Sequence, residues 1–166
     1  MPLCNRPDMV GFRMIKVFVG SSNAAKSQAK RFMEGCPHRN IQYLPWWEQF
    51  NPGSTLLDEL DKIRKQVSAA ILLITPEASA TNSKGSEIVV ANQNVIFEFG
   101  YFYASLGKSN VALVKYGAIN LPSDLGGYIH INGSKFFKHG SAVTVGARTK
   151  TEFDRWLDTL LTNSGR

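Results

Sequence analysis

The chain has 166 residues and a mass of 18.4 kDa, which suits one domain with a sizeable hydrophobic core. Hydrophobic residues make up 43% of it, and no apolar run reaches the roughly 18 residues that a transmembrane helix needs. The net charge of +6 is not arranged as a basic stripe with interleaved aromatic residues, so the composition favours a small anionic ligand over nucleic acid.

The first residues, MPLCNRPDMVGFRM, lack the continuous apolar core of a secretory signal, so we expect a cytoplasmic location and no membrane association. Cys4 and Cys36 have neither the spacing of a metal site nor that of a disulfide framework, so no metal is expected. We expect residues 1–13 to form a disordered tail, 14–162 a single domain, and 163–166 a tail or the start of a linker.

Predicted strands and helices alternate along the chain. Strands are expected at 15–19, 41–44, 69–74 and 111–114, with a weak fifth at 128–131. The run AAILLI at 69–74 is apolar throughout, which is typical of a central strand covered on both faces. The alternation predicts an α/β fold, in which a mainly parallel five-stranded sheet of order 2-1-3-4-5 carries helices on both faces.

Polar residues mark the predicted helix starts. Ser22 or Asn23 is expected to cap the first helix, Ser54 the helix that contains Leu56, and Asn94 the helix that follows. The last helix is expected to open with the capping box formed by Thr149 and Glu152. Residues 45–54 and 77–93 are expected to be mostly loop.

One acidic residue lies within an otherwise apolar segment, NVIFEFGYFY at 94–103. Glu98 is the only Asp or Glu between Glu87 and Asp124. An unpaired buried carboxylate costs several kcal/mol or takes up a proton, so Glu98 should pair with a buried cation, lie near the helix N-terminus, or face a cleft. The residues alone favour neither the structural nor the functional interpretation.

Topology places Glu98 near the expected ligand site. In open parallel sheets, ligands bind beyond the carboxyl ends of the strands where strand order reverses, here between the first and third strands. The turn Gly20-Ser21-Ser22 lies at this point and could bind a phosphate or a ribose hydroxyl, although it is neither a P-loop nor a GxGxxG motif. No GxSxG motif occurs, so a Ser-His-Asp hydrolase is not expected.

An aromatic cluster occupies the loop after the second strand. Trp46, Trp47 and Phe50 lie between Pro45 and Pro52. Aromatic side chains on such a loop can cover a planar ligand or form a protein contact, and they can equally fold back as core anchors. The sequence leaves these alternatives open.

Five segments together resemble the TIR-like (Toll/interleukin receptor-like) nucleotide-binding domains of bacterial antiphage defence proteins, including those fused to cyclic-dinucleotide sensors of the STING type. They span roughly residues 14–132 and are KVFVGSS at 16–22, PGSTLLDEL at 52–60, AAILLITPE at 69–77, NVIFEFGYF at 94–102 and LPSDLGG at 121–127. The resemblance implies a flavodoxin-like three-layer TIR fold. It also implies an enzyme that cleaves NAD⁺ to nicotinamide and ADP-ribose, uses NAD⁺ as substrate without another cofactor, and becomes active on self-association.

The resemblance also assigns residues. The catalytic glutamate of the family falls on Glu98, and Gly20, Ser21 and Ser22 would line the NAD⁺ pocket, with Asn94 placed among the binding residues. Trp47 and Phe50 are also placed among the binding residues, and the loop that carries them would correspond to the mobile loop that gates access and mediates assembly. A sensor domain fused to the TIR domain would be a further partner.

One departure from the family pattern keeps two alternatives open. Relatives commonly read ARDNVIFELG, whereas this chain has Asn92-Gln93 in place of the Arg-Asp pair. The absent charge pair favours a TIR-like module that binds a nucleotide or self-assembles without catalysis. A nucleoside deoxyribosyltransferase-like enzyme, which also directs a glutamate at an N-glycosidic bond, is the other alternative.

Overall fold

The fold is an α/β arrangement, seen in a computed structural model that describes residues 14–125, 128, 130–133, 137–139 and 142–164. In chain order its strands are β1 (Ile15–Ser21), β2 (Ile41–Pro45), β3 (Ala69–Ile74), β4 (Ala78–Thr81), β5 (Glu87–Val90), β6 (Val111–Lys115), β7 (Ile131–Asn132), β8 (Phe137–His139) and β9 (Ala142–Thr144). Its helices are α1 (Lys26–Gly35), α2 (Trp46–Gln49), α3 (Leu56–Arg64), α4 (Gln93–Leu106) and α5 (Ala147–Ser164).

A five-stranded parallel sheet has the order β2-β1-β3-β6-β7. Because β4 and β5 form a separate two-stranded sheet, β6 and β7 are the fourth and fifth strands of the large sheet, and the predicted order 2-1-3-4-5 is confirmed. The order reverses between β1 and β3, whose residues pair from Val17 opposite Ala69 to Ser21 opposite Leu73. Ligand chemistry is therefore expected beyond Ser21 and Ile74.

Two hydrophobic cores cover the two faces of the sheet, because successive strand residues point to opposite faces. Val17 and Val19 of β1 pack in one core with residues of α1 and α5. Phe18 lies in the other core, together with residues of α3 and α4. The three-layer prediction is thus confirmed, and α4, which carries Glu98, lies on the same face as Phe18.

The prediction of loop for 77–93 is wrong, because this segment contains the antiparallel hairpin of β4 and β5. Its turn is stabilised by Asn82, whose Oδ1 accepts hydrogen bonds of 2.9 Å from the backbone N–H groups of Lys84 and Ser86. Gly85 supplies the positive φ of +79°. The loop expected at 45–54 also contains the short helix α2.

Two predicted helix caps are wrong. The residue that caps α3 is Thr55 rather than Ser54, since the Thr55 hydroxyl accepts a 3.2 Å hydrogen bond from Asp58 N–H. Helix α1 begins at Lys26, so neither Ser22 nor Asn23 is its cap. Ser22 instead bonds to the backbone N–H of Ala25 in the turn that precedes the helix.

The capping box predicted for α5 is also wrong. The helix begins at Ala147, and the Thr149 hydroxyl donates to the carbonyl of Asn132 in β7. Glu152 accepts a 2.6 Å hydrogen bond from Asn132 N–H. Both side chains therefore fasten α5 to the edge of the sheet. The helix extends to Ser164, and residues 1–13 and 165–166 lie outside the described part of the chain.

Candidate active site

Glu98 lies in the second turn of α4 and is buried. The buried residues of this helix are Val95, Glu98, Phe99 and Phe102, which together form the face turned toward the sheet. Only 6% of Glu98 is exposed, and its Oε2 has no hydrogen-bond partner among the described residues. Burial raises the pKa of Glu98 from 4.5 to about 7. Of the alternatives that the sequence leaves open, pairing with a buried Lys or Arg is thus not observed at Oε2.

Gly20 lies directly against this carboxylate. A Cβ at Gly20 would be 2.8 Å from Glu98 Oε2, and closer still to Cδ1 of Leu72, the residue opposite Gly20 on β3. Because glycine has no side chain, the carboxylate can approach the backbone at the end of β1. The structure thus brings two predicted site residues, Gly20 and Glu98, together at the switch point of the sheet.

The hydroxyls of Ser21 and Ser22 are both buried and both engaged. Ser21 Oγ donates to the carbonyl of Ser22 and accepts a 3.1 Å hydrogen bond from Trp46 Nε1. Ser22 Oγ accepts from Ala25 N–H and donates to Glu77. The turn is therefore held in place from several sides.

Glu77 is a residue of this site that sequence reasoning missed. It follows Pro76 at the end of β3, and its carboxylate accepts hydrogen bonds from the hydroxyls of Ser22 and Thr75 and from Nδ2 of Asn92. The available signal was an acidic residue just beyond a fully buried strand at the switch point. Its partners, however, are 55 positions away for Ser22 and 15 for Asn92.

The N-cap of α4 is Asn92, and the prediction that Asn94 caps this helix is wrong. Asn92 Oδ1 accepts a 3.0 Å hydrogen bond from Asn94 N–H, and Asn94 itself is exposed. The helix is also less buried than its composition suggests, since Phe97 is 49% exposed. Asn94 is therefore near the site in sequence without making a described side-chain contact there.

The aromatic loop divides between the two faces of the sheet. Trp46, which is not among the predicted site residues, donates from Nε1 to Ser21 Oγ in the Gly20–Ser22 turn. Trp47 packs against the core of α1 and α5, with the Nζ atoms of Lys26 and Lys30 at 5.2 and 5.8 Å from its ring centroid. Phe50 packs on the Glu98 face.

Phe18 links this loop to the glycine that faces Glu98. Its ring stacks on Phe50 at a centroid distance of 6.1 Å, and its Cε1 would lie 3.0 Å from a Cβ at Gly20. Phe50 therefore reaches the site through Phe18, whereas Trp47 belongs to the other face.

A separate cavity of about 340 Å³ lies beside the start of α4. Its walls come from the hairpin, the first turns of α4 and residues 120–122, and they are mostly apolar, with Gln93 and Asn120 as polar members. Its volume falls within the roughly 300–1,000 Å³ of small-molecule sites, but neither Glu98 nor Gly20 lines it.

The described residues offer neither a metal-binding cluster nor a membrane-spanning helix. They contain no group of three or more His, Cys, Asp or Glu side chains placed to hold a metal ion. Among the helices described, none is long and apolar enough to cross a membrane.

Comparison with known families gives a match over most of the chain. Residues 16–135 match the model of the family described as "CAP12/Pycsar effector protein, TIR domain". The matched range includes β1 and the turn that follows it, the hairpin, and α4 with Glu98.

Individual relatives extend this similarity. Protein tirC of Dictyostelium discoideum is 31% identical over 137 residues, which is 75% of this chain and 67% of tirC. CD-NTase-associated protein 12 of Sphingobacterium faecium is 27% identical over 112 residues, and Pycsar effector protein BcPycTIR of Burkholderia cepacia is 29% identical over 116. The chain spans 34% and 38% of these two bacterial proteins.

Proposed function

The chain belongs to the TIR-domain family of CAP12/Pycsar effector proteins, and from this premise we propose that it is an NAD⁺ glycohydrolase with Glu98 as its catalytic carboxylate. Water and NAD⁺ are converted to ADP-ribose, nicotinamide and a proton, so NAD⁺ is the substrate and no cofactor is consumed. The cellular role that we propose is depletion of NAD⁺ in the cytoplasm during antiviral defence.

The observation that supports this proposal is the partnerless, buried Oε2 of Glu98 against the glycine at the switch point. A buried carboxylate without a partner lowers stability, so its presence points to a use other than folding. The turn of Gly20, Ser21 and Ser22 next to it is the proposed contact for the ribose or phosphate groups of NAD⁺. Phe50 is proposed to contribute from the same face, whereas the proposed binding roles of Trp47 and Asn94 find less support.

The reaction requires one carboxylate. As the bond between nicotinamide and ribose breaks, positive charge develops at the anomeric carbon in an oxocarbenium-like transition state. The ionised Glu98 stabilises that charge, and an apolar setting strengthens the attraction. The pyridinium ring of NAD⁺ becomes neutral nicotinamide as it leaves, so a general acid is not required.

The burial of Glu98 supports activation by self-association. With 6% exposure, the carboxylate is poorly accessible to a substrate, so the segments packed around it must move before catalysis, and self-association could drive that movement. Leu57 on α3 and Phe97 on α4 are each about half exposed, on helices that cover the same face of the sheet. We propose that apolar contacts of this kind drive TIR–TIR assembly, triggered by a cyclic-nucleotide sensor linked to the domain.

The test is nicotinamide release from NAD⁺ by concentrated or assembled protein. Glu98→Gln should abolish turnover, because it removes the negative charge while keeping nearly the same shape. Glu87→Gln makes the same chemical change on the exposed strand β5 and should retain turnover. Equal turnover by Glu98→Gln and the wild type would contradict the assignment.

The alternative of a non-catalytic nucleotide-binding module is favoured by the cavity beside α4, which excludes Glu98. Its apolar walls and two amides suit a planar base. Calorimetric binding of NAD⁺ without product, even in assembled protein, would establish this alternative. Base exchange on deoxynucleosides with NAD⁺ left intact would instead identify a deoxyribosyltransferase-like enzyme.

A further inference from the structure

Glu77 joins three segments of the chain at the carboxyl ends of β1 and β3. Its Oε1 accepts from Ser22 Oγ, in the turn after β1, and from Thr75 Oγ1, at the end of β3, at 3.0 Å. Its Oε2 accepts from Asn92 Nδ2 at 3.2 Å, just before α4. The two hydroxyl donors are buried, each 8% exposed, so these bonds face little competition from water.

The bond to Glu77 fixes which way the Asn92 amide points. A carboxylate can only accept hydrogen bonds, so the NH₂ group of Asn92 must face Glu77. The Oδ1 atom is then directed at the backbone N–H of Asn94, which it caps at 3.0 Å. The start of α4 is therefore tied to Glu77 through one amide group.

The segments that Glu77 joins carry the two sides of the candidate site. Asn92 begins the helix whose second turn holds Glu98, and Ser22 ends the turn that starts at Gly20. The carboxylate of Glu98 reaches to 2.8 Å from the Cβ position of Gly20. A shift of either segment would therefore change the distance between the Glu98 carboxylate and Gly20.

We propose that Glu77 is a positioning residue that holds the carboxylate of Glu98 against Gly20, for the NAD⁺ cleavage on which this inference rests. It acts through Asn92 on one side and Ser22 on the other. It does not contact the reacting atoms itself.

The pairing of Glu77 with Asn92 permits a test by exchange of polarity. In Glu77→Gln, the remaining carbonyl oxygen can still accept from Ser22 and Thr75, but the new NH₂ group opposes the NH₂ group of Asn92. In Asn92→Asp, two carboxylates face each other, although the new one can still cap α4. The double variant restores a donor–acceptor pair, because the amide of residue 77 donates to the carboxylate of residue 92, whose second oxygen caps the helix.

Turnover is the first readout. Each single variant should lose roughly 10- to 100-fold in kcat with KM near the wild-type value, since displacement of a catalytic group by about 1 Å has an effect of that order. The double variant should recover most of kcat. If the double variant regains the wild-type free energy of unfolding but not kcat, or if the single variants retain kcat, the inference is wrong.

A second readout does not depend on activity. Carbon-13 NMR of the Glu98 carboxyl group should give a titration midpoint near 7 in the wild type. The midpoint should fall toward 4.5 in each single variant as the side chain gains water, and return in the double variant. Unchanged midpoints in both single variants would overturn the inference. If Glu98→Gln retains full turnover, the proposed function fails, while the NMR comparison still decides the role of Glu77.

Discussion

Gly20 and Glu98 meet at the end of β1, where a side chain of any size on the glycine would collide with the carboxylate. The contact joins the strand at the centre of the switch point to the helix on one face of the sheet. It also shields Oε2 from water, which is the source of the raised pKa of Glu98. Position 20 is therefore a sensitive probe of the candidate site.

Gly20→Ala should lower both stability and activity. Its new methyl group would lie 2.8 Å from Glu98 Oε2 and still closer to Leu72 Cδ1, both shorter than a van der Waals contact, so these side chains, the strand or the helix must move. Overpacking of this kind costs about 1–3 kcal/mol, measurable by chemical denaturation. Gly100→Ala is the matched control, since its Cβ would meet nothing within 4 Å and helix propensity favours Ala. Equal stability of the two variants would contradict the close approach.

Glu98 should make the protein less stable as pH rises from about 4.5 to about 7. Because its pKa is raised in the folded state, the folded protein holds this proton where the unfolded chain has lost it. The effect has a size of up to roughly 3 kcal/mol at pH 8. Glu98→Gln lacks this ionisation, so the difference between its free energy of unfolding and that of the wild type should shift in favour of the variant as the pH rises across this range. Glu87→Gln should show no such shift. Parallel curves for wild type and Glu98→Gln would exclude the raised pKa.

Activity should have the opposite pH dependence. The proposed mechanism uses the ionised form of Glu98, so kcat/KM should rise through pH 7 and level off above it. This profile is obtained by measuring nicotinamide release from about pH 5.5 to about pH 9 while the ionic strength is held constant. A rate that falls as pH rises through 7 would mean that the protonated carboxyl is the active form.

The sheet could be predicted because the sequences of its buried strands are continuous apolar runs. Val111 to Val114 and Ala69 to Ile74 have few polar interruptions, and their order follows from the alternation with helices. The β4–β5 hairpin was not predicted, because β4 is exposed throughout and its sequence is typical of a polar loop. Its signal was the turn from Asn82 to Gly85, followed by the β-branched run of β5.

The candidate site could be predicted in part, because one of its residues departs from the apolar pattern around it. Glu98 stands out as a lone acid, and topology places its helix beside the switch point. Glu77 had the weaker signal of an acid just after β3, and its role could not be predicted because its partners Ser22 and Asn92 are remote in sequence and come together only when β1, β3 and α4 pack. The sequence also could not show that Trp46 rather than Trp47 lies on the Glu98 face, since this depends on which side of the sheet each ring packs.

Trp46 should control the mobility of the turn next to Glu98. Its Nε1 donates to Ser21 Oγ, and Trp46→Phe removes that bond while keeping an aromatic ring. The expected loss is about 0.5–1.5 kcal/mol, together with faster amide hydrogen exchange at Ser21 and Ser22. Trp47→Phe keeps the bond and serves as the control. Comparable exchange rates at the two serines in both variants would show that the bond does not restrain the turn.

Glu59 should stabilise the protein mainly above pH 4.5. It is buried on α3, and its hydrogen bond with Lys62, followed by weaker contributions that include the N–H of Asn51, lowers its pKa to about 2. Between pH 4.5 and 2, Glu59 is protonated in the unfolded chain but stays ionised in the folded protein, so the free energy of unfolding falls as the pH decreases. Glu59→Gln should lose stability at neutral pH and show a weaker acid dependence in denaturation experiments.

The same change should loosen the aromatic loop. Glu59 Oε2 accepts from both the backbone N–H and the side chain of Asn51, the residue after Phe50. Amide exchange at Phe50 and Asn51 should therefore accelerate in Glu59→Gln, whereas Glu48→Gln, at an exposed position of α2, should leave it unchanged. If exchange at Asn51 stays slow while stability falls, Glu59 supports α3 alone, and the loop is tied to the site by the Trp46 hydrogen bond and the Phe18–Phe50 stack.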